Sequence, residues 1–172
     1  TSDSGSIFFS NATSGAAEYA GFVQYLHNNN SLIFGTDETT RMTINNSGKV
    51  GIGTSSPSTL LELSGGGNTI LTINTGNNSG DNSQLAFGDS ADADVGFINY
   101  DHGTHVMQFG VAASERMRID SSGRLLVGTT TEGHSAADDL TIENTSADMG
   151  ITLRSGTSGQ GAIYFSDGTS GD

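Results

Sequence analysis

Apolar residues along this chain fall in short runs that alternate with small or polar ones, as in Met42-Thr43-Ile44 and Val50-Gly51-Ile52. A two-residue period of that kind marks a strand with one face buried and the other exposed. It predicts strands at 7–10, 21–27, 31–35, 41–45, 49–53, 60–64 and 69–74. A second set is predicted at 84–88, 95–100, 106–111, 116–120, 124–128, 139–143 and 150–154. No useful window carries the 3.6-residue period of a helix, although 16–26 has room for one helical turn. Two connections, Asn45-Asn46-Ser47-Gly48 and Asp120-Ser121-Ser122-Gly123, place a glycine where a tight turn needs a positive φ. Gly48 and Gly123 are the expected turn glycines. The chain is expected to be all-β, its strands spaced by roughly ten residues.

The second set of strands copies the first. Sliding the sequence by 75 positions lays 21–54 on 96–129 with 13 of 34 positions identical. Among the pairs are Phe22/Phe97, Tyr25/Tyr100, His27/His102, Gly35/Gly110, Arg41/Arg116, Met42/Met117 and Gly53/Gly128. Farther out, Phe9, Phe87 and Phe165 recur at a spacing of 78, and Ile70-Leu71-Thr72-Ile73 finds a counterpart in Gly150-Ile151-Thr152-Leu153. The drifting offset reads as loop insertions within a fixed frame. That frame divides the chain into repeat 1 (1–80), repeat 2 (81–160) and the opening of a third repeat (161–172). Neither end carries an atypical capping unit, so the stretch reads as a window on a longer array.

Composition decides how such strands can be held. Gly, Ser, Thr and Asn account for 81 of the 172 residues, whereas Leu, Ile, Val and Phe supply 36. With a net charge of −13, that apolar share borders on the composition of disordered chains. Recurrence of the hydrophobes at fixed strand positions argues for folding instead. Each strand offers one to three apolar side chains, too few for one copy to cover its own core and edges. Three identical copies about a common axis remove the shortage, because each inward side chain then meets its own images. The expected architecture is an elongated repeat array, an intertwined homotrimeric β-helix or β-prism fibre, with a single-chain solenoid as the alternative. Its expected core is Phe9, Phe34, Met42, Ile44, Val50 and Ile52, with Phe87, Phe109, Met117, Ile119, Leu125 and Val127 as their copies.

The segments 41–57, from Arg41-Met42-Thr43-Ile44 through Gly51-Ile52-Gly53-Thr54 to Pro57, and 115–130, from Glu115-Arg116-Met117-Arg118-Ile119 to Gly128-Thr129-Thr130, carry a family likeness. They resemble the repeat in the shafts of tailed-bacteriophage tail fibres, a type often followed by an endosialidase-like intramolecular chaperone domain. The likeness covers two stretches of about seventeen residues closely. The second departs from it, with Leu126 and Val127 in place of Gly51 and Ile52 and no proline after Thr130. The resemblance implies a trimeric, elongated β-structure that holds a receptor-binding tip away from a virion. A bacterial surface filament is the alternative location.

Charge and motif content narrow the function classes. Six basic residues against nineteen acidic ones supply no phosphate-binding track, so nucleic acid is not an expected partner. No apolar run approaches the roughly 20 residues of a membrane span, and no secretory leader opens the chain. Without cysteine there is neither a disulfide framework nor a thiolate metal site. No cofactor is expected. Two partial ligand sets exist: His102 and His105 for a transition metal on a threefold axis, and Asp89, Asp92 and Asp94, which resemble half a calcium loop. Turn histidines and a solvated acidic loop are the competing, favoured readings.

Arg41 and Arg116, together with Lys49 and Arg124, hold fixed places in the repeat and are expected to pair with Glu38, Glu115 or Asp120, Arg41 and Arg116 across chains. A glycan-binding arginine is the weaker reading of the same recurrence. Glu18, Glu62 and Glu132 could serve as the paired carboxylates of a depolymerase, but isolated acids are abundant and nothing in the sequence groups these three, so the chain is not expected to be an enzyme. The functional expectation is a structural one: a homotrimeric shaft segment acting as a rigid, extracellular spacer in host attachment. The alternative is an adhesin whose loops at 11–19 and 88–94 bind host glycans, low affinity being offset by avidity.

Overall fold

The computed structural model describes residues 3–76, 80–155 and 157–163, so Tyr164 and Phe165, counterparts of Ala86 and Phe87 in the third repeat, lie outside the described residues. Among the described residues, twelve strands form in two sets of six. The first comprises β1 (Ser4–Phe9), β2 (Gly21–Leu26), β3 (Ser31–Thr36), β4 (Thr39–Ile44), β5 (Val50–Ile52) and β6 (Leu61–Leu63). The second comprises β7 (Asn82–Phe87), β8 (Gly96–Asp101), β9 (Val106–Val111), β10 (Ser114–Ile119), β11 (Leu125–Val127) and β12 (Leu140–Ile142). The helical turn foreseen within 16–26 is a short 3-10 helix, Ala16–Tyr19. The fold is all-β, and each of these strands falls on a predicted one.

Each set makes one sheet in simple chain order, β1 to β6 and β7 to β12. Neighbours pair antiparallel except at the last step, where β5–β6 and β11–β12 run parallel. Two compact units result, Thr1–Thr72 and Ile73–Asp172. The second begins ahead of the expected repeat boundary, and the Ile73 carbonyl accepts a hydrogen bond from Ser83 Oγ on β7 at 2.8 Å.

The repeat is written into the backbone as well as the sequence. At the β4–β5 turn, Asn45 Oδ1 accepts the N–H groups of Ser47 (2.9 Å) and Lys49 (3.0 Å). Asp120 Oδ1 does the same for Ser122 (2.9 Å) and Arg124 (3.0 Å) at the β10–β11 turn. Such side-chain acceptors favour turns over regular ladders, and the turns close at Gly48 (φ 76) and Gly123 (φ 83), as expected. The β3–β4 and β9–β10 hairpins turn through two residues at positive φ, Asp37-Glu38 and Ala112-Ala113. This is the backbone that matches strand twist in a two-residue hairpin.

Parallel pairing requires the chain to cross over between β5 and β6. A Cβ on Gly51 would stand 2.4 Å from the Thr54 carbonyl oxygen, so the crossing connection lies directly on that face of the sheet. Leu126 occupies the same place in the second unit and is fully buried. The departure at Leu126 is thus a glycine-to-leucine exchange beneath the crossover, compatible with the same register.

Two predicted strands did not form. Among the described residues, 69–74 and 150–154 have no ladder partner. Their alternation supplies the side-chain pattern of a strand, but a strand also needs a neighbour for its main-chain groups.

Candidate functional site

Register sorts the side chains of each sheet onto two faces of opposite character. In the first sheet an apolar row crosses all six strands: Ile7, Val23, Phe34, Met42, Ile52, Leu63. A second row beside it runs Tyr25, Leu32, Ile44, Val50, Leu61. The second sheet repeats both, as Leu85, Ile98, Phe109, Met117, Val127, Ile142 and as Tyr100, Met107, Ile119, Leu125, Leu140. Phe9 and Phe87 extend the same face, opposite Gly21 and Gly96.

All twelve expected core residues therefore lie on this one face. None is buried within the chain: Phe9 is 62% exposed, Phe87 55%, and Phe34, Met42, Phe109 and Met117 are half-buried.

The opposite face carries a polar central row flanked by Phe8 and Phe22 in the first sheet and by Phe97 in the second. Its central row reads Ser6, Gln24, Ile33, Thr43, Gly51, Glu62 in the first sheet and Gln84, Asn99, Gln108, Arg118, Leu126, Thr141 in the second. Gln24 Nε2 donates to Ser4 Oγ (3.0 Å) and Ser6 Oγ (2.9 Å). Asn99 Nδ2 donates to Asn82 Oδ1 (3.0 Å) and Gln108 Oε1 (2.7 Å), and Gln108 Nε2 passes the chain on to Glu115 Oε2 at 2.7 Å. Arg118 completes it by an ion pair with Glu115. Cross-strand amides of this kind fix the register, while Asn99 Oδ1 and the Thr43 hydroxyl are buried without a hydrogen-bond partner among the described residues. Burial sits here, at Ile33, Thr43, Asn99, Val106 and Leu126, whereas the two apolar rows on the other side are only partly covered.

Arg41 and Arg116 hold equivalent, unusual places. Gly35 pairs with Thr40 but Phe34 with Met42, and Gly110 with Glu115 but Phe109 with Met117. Each arginine is thus the extra residue of a β-bulge, which re-aims its side chain along the hairpin. Arg41 Nε donates to the carbonyl (3.3 Å) and hydroxyl (3.1 Å) oxygens of Thr36, and Arg116 Nε to the Val111 carbonyl at 3.2 Å. Their own carbonyls accept from the positive-φ glycines Gly53 (2.8 Å) and Gly128 (2.9 Å). Within the chain Asp120 pairs with Arg124, one of the expected pairs, and Arg124 also reaches Glu132 and Asp138, while Glu115 pairs with Arg118. Lys49 Nζ donates to the Ser58 carbonyl at 2.7 Å.

His102 and His105 flank one tyrosine. The Asp101 carboxylate accepts the N–H groups of Gly103 (2.8 Å) and Thr104 (3.1 Å), turning the chain between them. The His102 ring meets Tyr100 edge-on at 4.9 Å, with Nε2 2.9 Å from Ser83 Oγ, and His105 Nδ1 lies 3.1 Å from the Tyr100 hydroxyl. His27 meets Tyr25 in the same way at 5.1 Å. In the acidic loop, Asp89 accepts the N–H groups of Ala91 (2.8 Å) and Asp92 (3.1 Å), which hold its carboxyl below the ordinary range. Hydrogen bonding to Asp92 and repulsion from it push Asp94 up. Among the described residues, no three His, Cys, Asp or Glu side chains gather as a ligand set, and no helix is long and apolar enough to cross a membrane. Glu62 accepts from the Ser58 N–H and hydroxyl, each at 2.7 Å, and Glu132 is the partner of Arg124.

Arg124 offers a test of electrostatics that leaves the fold untouched. Its hydrogen bond holds the Asp120 carboxyl below the ordinary carboxylate value. A depressed folded-state pKa contributes stability that is present above the unfolded value, near pH 4, and is lost as pH falls through the folded one. Asn45 already makes the same turn without a charge, so Asp120→Asn should keep the turn and flatten that acid-side loss. Urea unfolding of both proteins at pH 7 and pH 3 reads it; equal pH dependence would remove Asp120 as its source.

No family model matches the chain, and no curated protein matches it either.

Proposed function

We propose that this chain is a segment of a homotrimeric fibre shaft, of the kind found in tailed-phage tail fibres, acting as a stiff extracellular spacer in host attachment. The observation that carries the reading is the apolar face, one row crossing six strands and a second crossing five, which recurs in both units and which one chain leaves only partly covered. Monomeric soluble proteins rarely expose a continuous apolar patch of this extent. The occupant favoured by the repeat is the same face of further copies, because a threefold arrangement lets Phe34 or Phe109 meet its own images. The tail-fibre resemblance of 41–57 and 115–130 supplies the biological setting. The charge of −13 per chain keeps finished fibres apart in solution.

Sedimentation equilibrium is the direct test. The expected species is three times the 17.7 kDa chain at micromolar concentration, with no binding of an apolar dye. A stable monomer that binds the dye would overturn the proposal.

A further inference from the structure

A cleft of about 390 Å³ opens at the end of the second sheet where β10 begins and β11 and β12 finish. Four threonines, at 129–131 and 145, line it together with Arg116, Glu115 and Glu143. None of these residues belongs to either apolar row, and the volume is that of a small-ligand site. Arg116 spends Nε on the Val111 carbonyl, and its two terminal nitrogens have no partner among the described residues. Glu143 likewise makes no side-chain hydrogen bond or ion pair among them. The first repeat builds the same backbone without either carboxylate. Ser64 stands where Glu143 does: their N–H groups donate to the Ile52 and Val127 carbonyls, each at 2.9 Å. A Cβ on Gly53 or Gly128 would likewise strike the Ser64 or Glu143 carbonyl oxygen, at 1.9 or 2.1 Å. Thr40 takes the place of Glu115, opposite Gly35 and Gly110, while Arg41 and hydroxyls at 54–56 recur. The second repeat therefore carries two further carboxylates around a shared arginine and hydroxyl set. Glu115 is held by Arg118 and Gln108, which leaves Glu143 with no part in the fold.

We infer that this cleft is a subsite for a neutral sugar residue, whose hydroxyls donate to the Glu143 carboxylate and accept from the Arg116 terminal nitrogens. The site lies within one unit of one chain, so the inference does not rest on the homotrimer reading. Charge selects the ligand class. An acidic sugar would pair with Arg116 but lie against Glu143, on a chain of net charge −13. An amino sugar would pair with Glu143 but lie against the guanidinium. A neutral ring meets neither penalty, because each of its hydroxyls can both donate and accept. Threonine hydroxyls have the same double capacity, and four of them surround the two charged groups. Hydrogen bonds to charged partners are the stronger ones, so Arg116 and Glu143 supply the orientation. One such subsite binds weakly, and copies carried on a common fibre would gain by avidity.

Affinity chromatography of the whole chain tests this on columns bearing neutral oligosaccharides of glucose, galactose, mannose or N-acetylglucosamine, with sialylated and chitosan columns beside them. Retention by at least one neutral column is expected. Glu143→Ser, which installs the residue the first repeat already folds with, should weaken that retention at least about 10-fold. Asp148→Ser removes the same charge from an exposed position outside the cleft and should bind as the wild type does. No retention by any neutral column, retention by the sialylated or chitosan column alone, or undiminished binding by Glu143→Ser would each overturn the inference. Sedimentation separates it from the shaft reading: Glu143→Ser should keep the wild-type profile. A monomeric wild type that still binds the neutral column would remove the shaft reading and leave the subsite standing.

Discussion

Phe109→Asp is expected to leave both sheets folded and to convert the protein from trimer to monomer. Phe109 lies at the centre of its apolar row, between Ile98 and Met117, and is only half-buried by its own chain. Its removal takes little from the isolated sheet, whose hydrogen-bonded ladders and polar row on the other face are untouched. In the proposed trimer the same side chain would supply about 2 kcal/mol of apolar burial per copy. Loss from three copies is then about 6 kcal/mol, or roughly four orders of magnitude in the association constant. Three carboxylates brought together at the axis oppose association further. Phe34→Asp should behave alike in the first unit. Ser122→Asp, which adds the same charge in an exposed turn, should leave the sedimentation profile unchanged. A Phe109→Asp trimer of wild-type stability would show that the apolar face is not the interface.

How far the sequence reveals this molecule depends on which physical term is asked for. Strand positions were legible because alternation reports burial of one face directly, and the Asn45 and Asp120 turns because their side-chain chemistry is local. Recurrence also groups Phe9, Phe34, Met42 and their companions, and register sets each group on one face of its own sheet. Long-range pairing was not legible. Nothing local in Arg41-Met42 announces that Gly35 pairs with Thr40 while Phe34 pairs with Met42, so the bulge at each arginine is not readable from the sequence. The polar row from Asn82 to Arg118 was missed for the same reason, since its members are scattered over four strands. Segments 69–74 and 150–154 mark the opposite error: their local pattern is that of a strand, and the missing term is a partner.

The largest effect on folding, as distinct from assembly, is expected at two glycines. Phe22 faces Gly35 across the β2–β3 ladder, and Phe97 faces Gly110 across β8–β9. Both pairs recur in the repeat, which is the signal that a hairpin register turns into a contact. Each ring lies flat enough over its glycine that a Cβ would fall 2.0 Å from Phe22 Cζ or 2.1 Å from Phe97 Cε1. An aromatic laid on a strand glycine covers main chain that no side chain of its own protects. Gly110→Ala therefore has to drive the Phe97 ring off, and should destabilise the chain by about 1–3 kcal/mol despite the better strand propensity of alanine. Phe97→Ala also destabilises, by uncovering the glycine. In the Phe97→Ala, Gly110→Ala double variant the new methyl enters space the ring has left, so the two losses should fall short of their sum by about 1–2 kcal/mol. Chemical unfolding of the four proteins closes the cycle. Additivity within roughly 0.5 kcal/mol would mean that the ring and the glycine do not constrain one another. Gly35→Ala combined with Gly110→Ala should instead show simple addition, because each ring belongs to its own sheet.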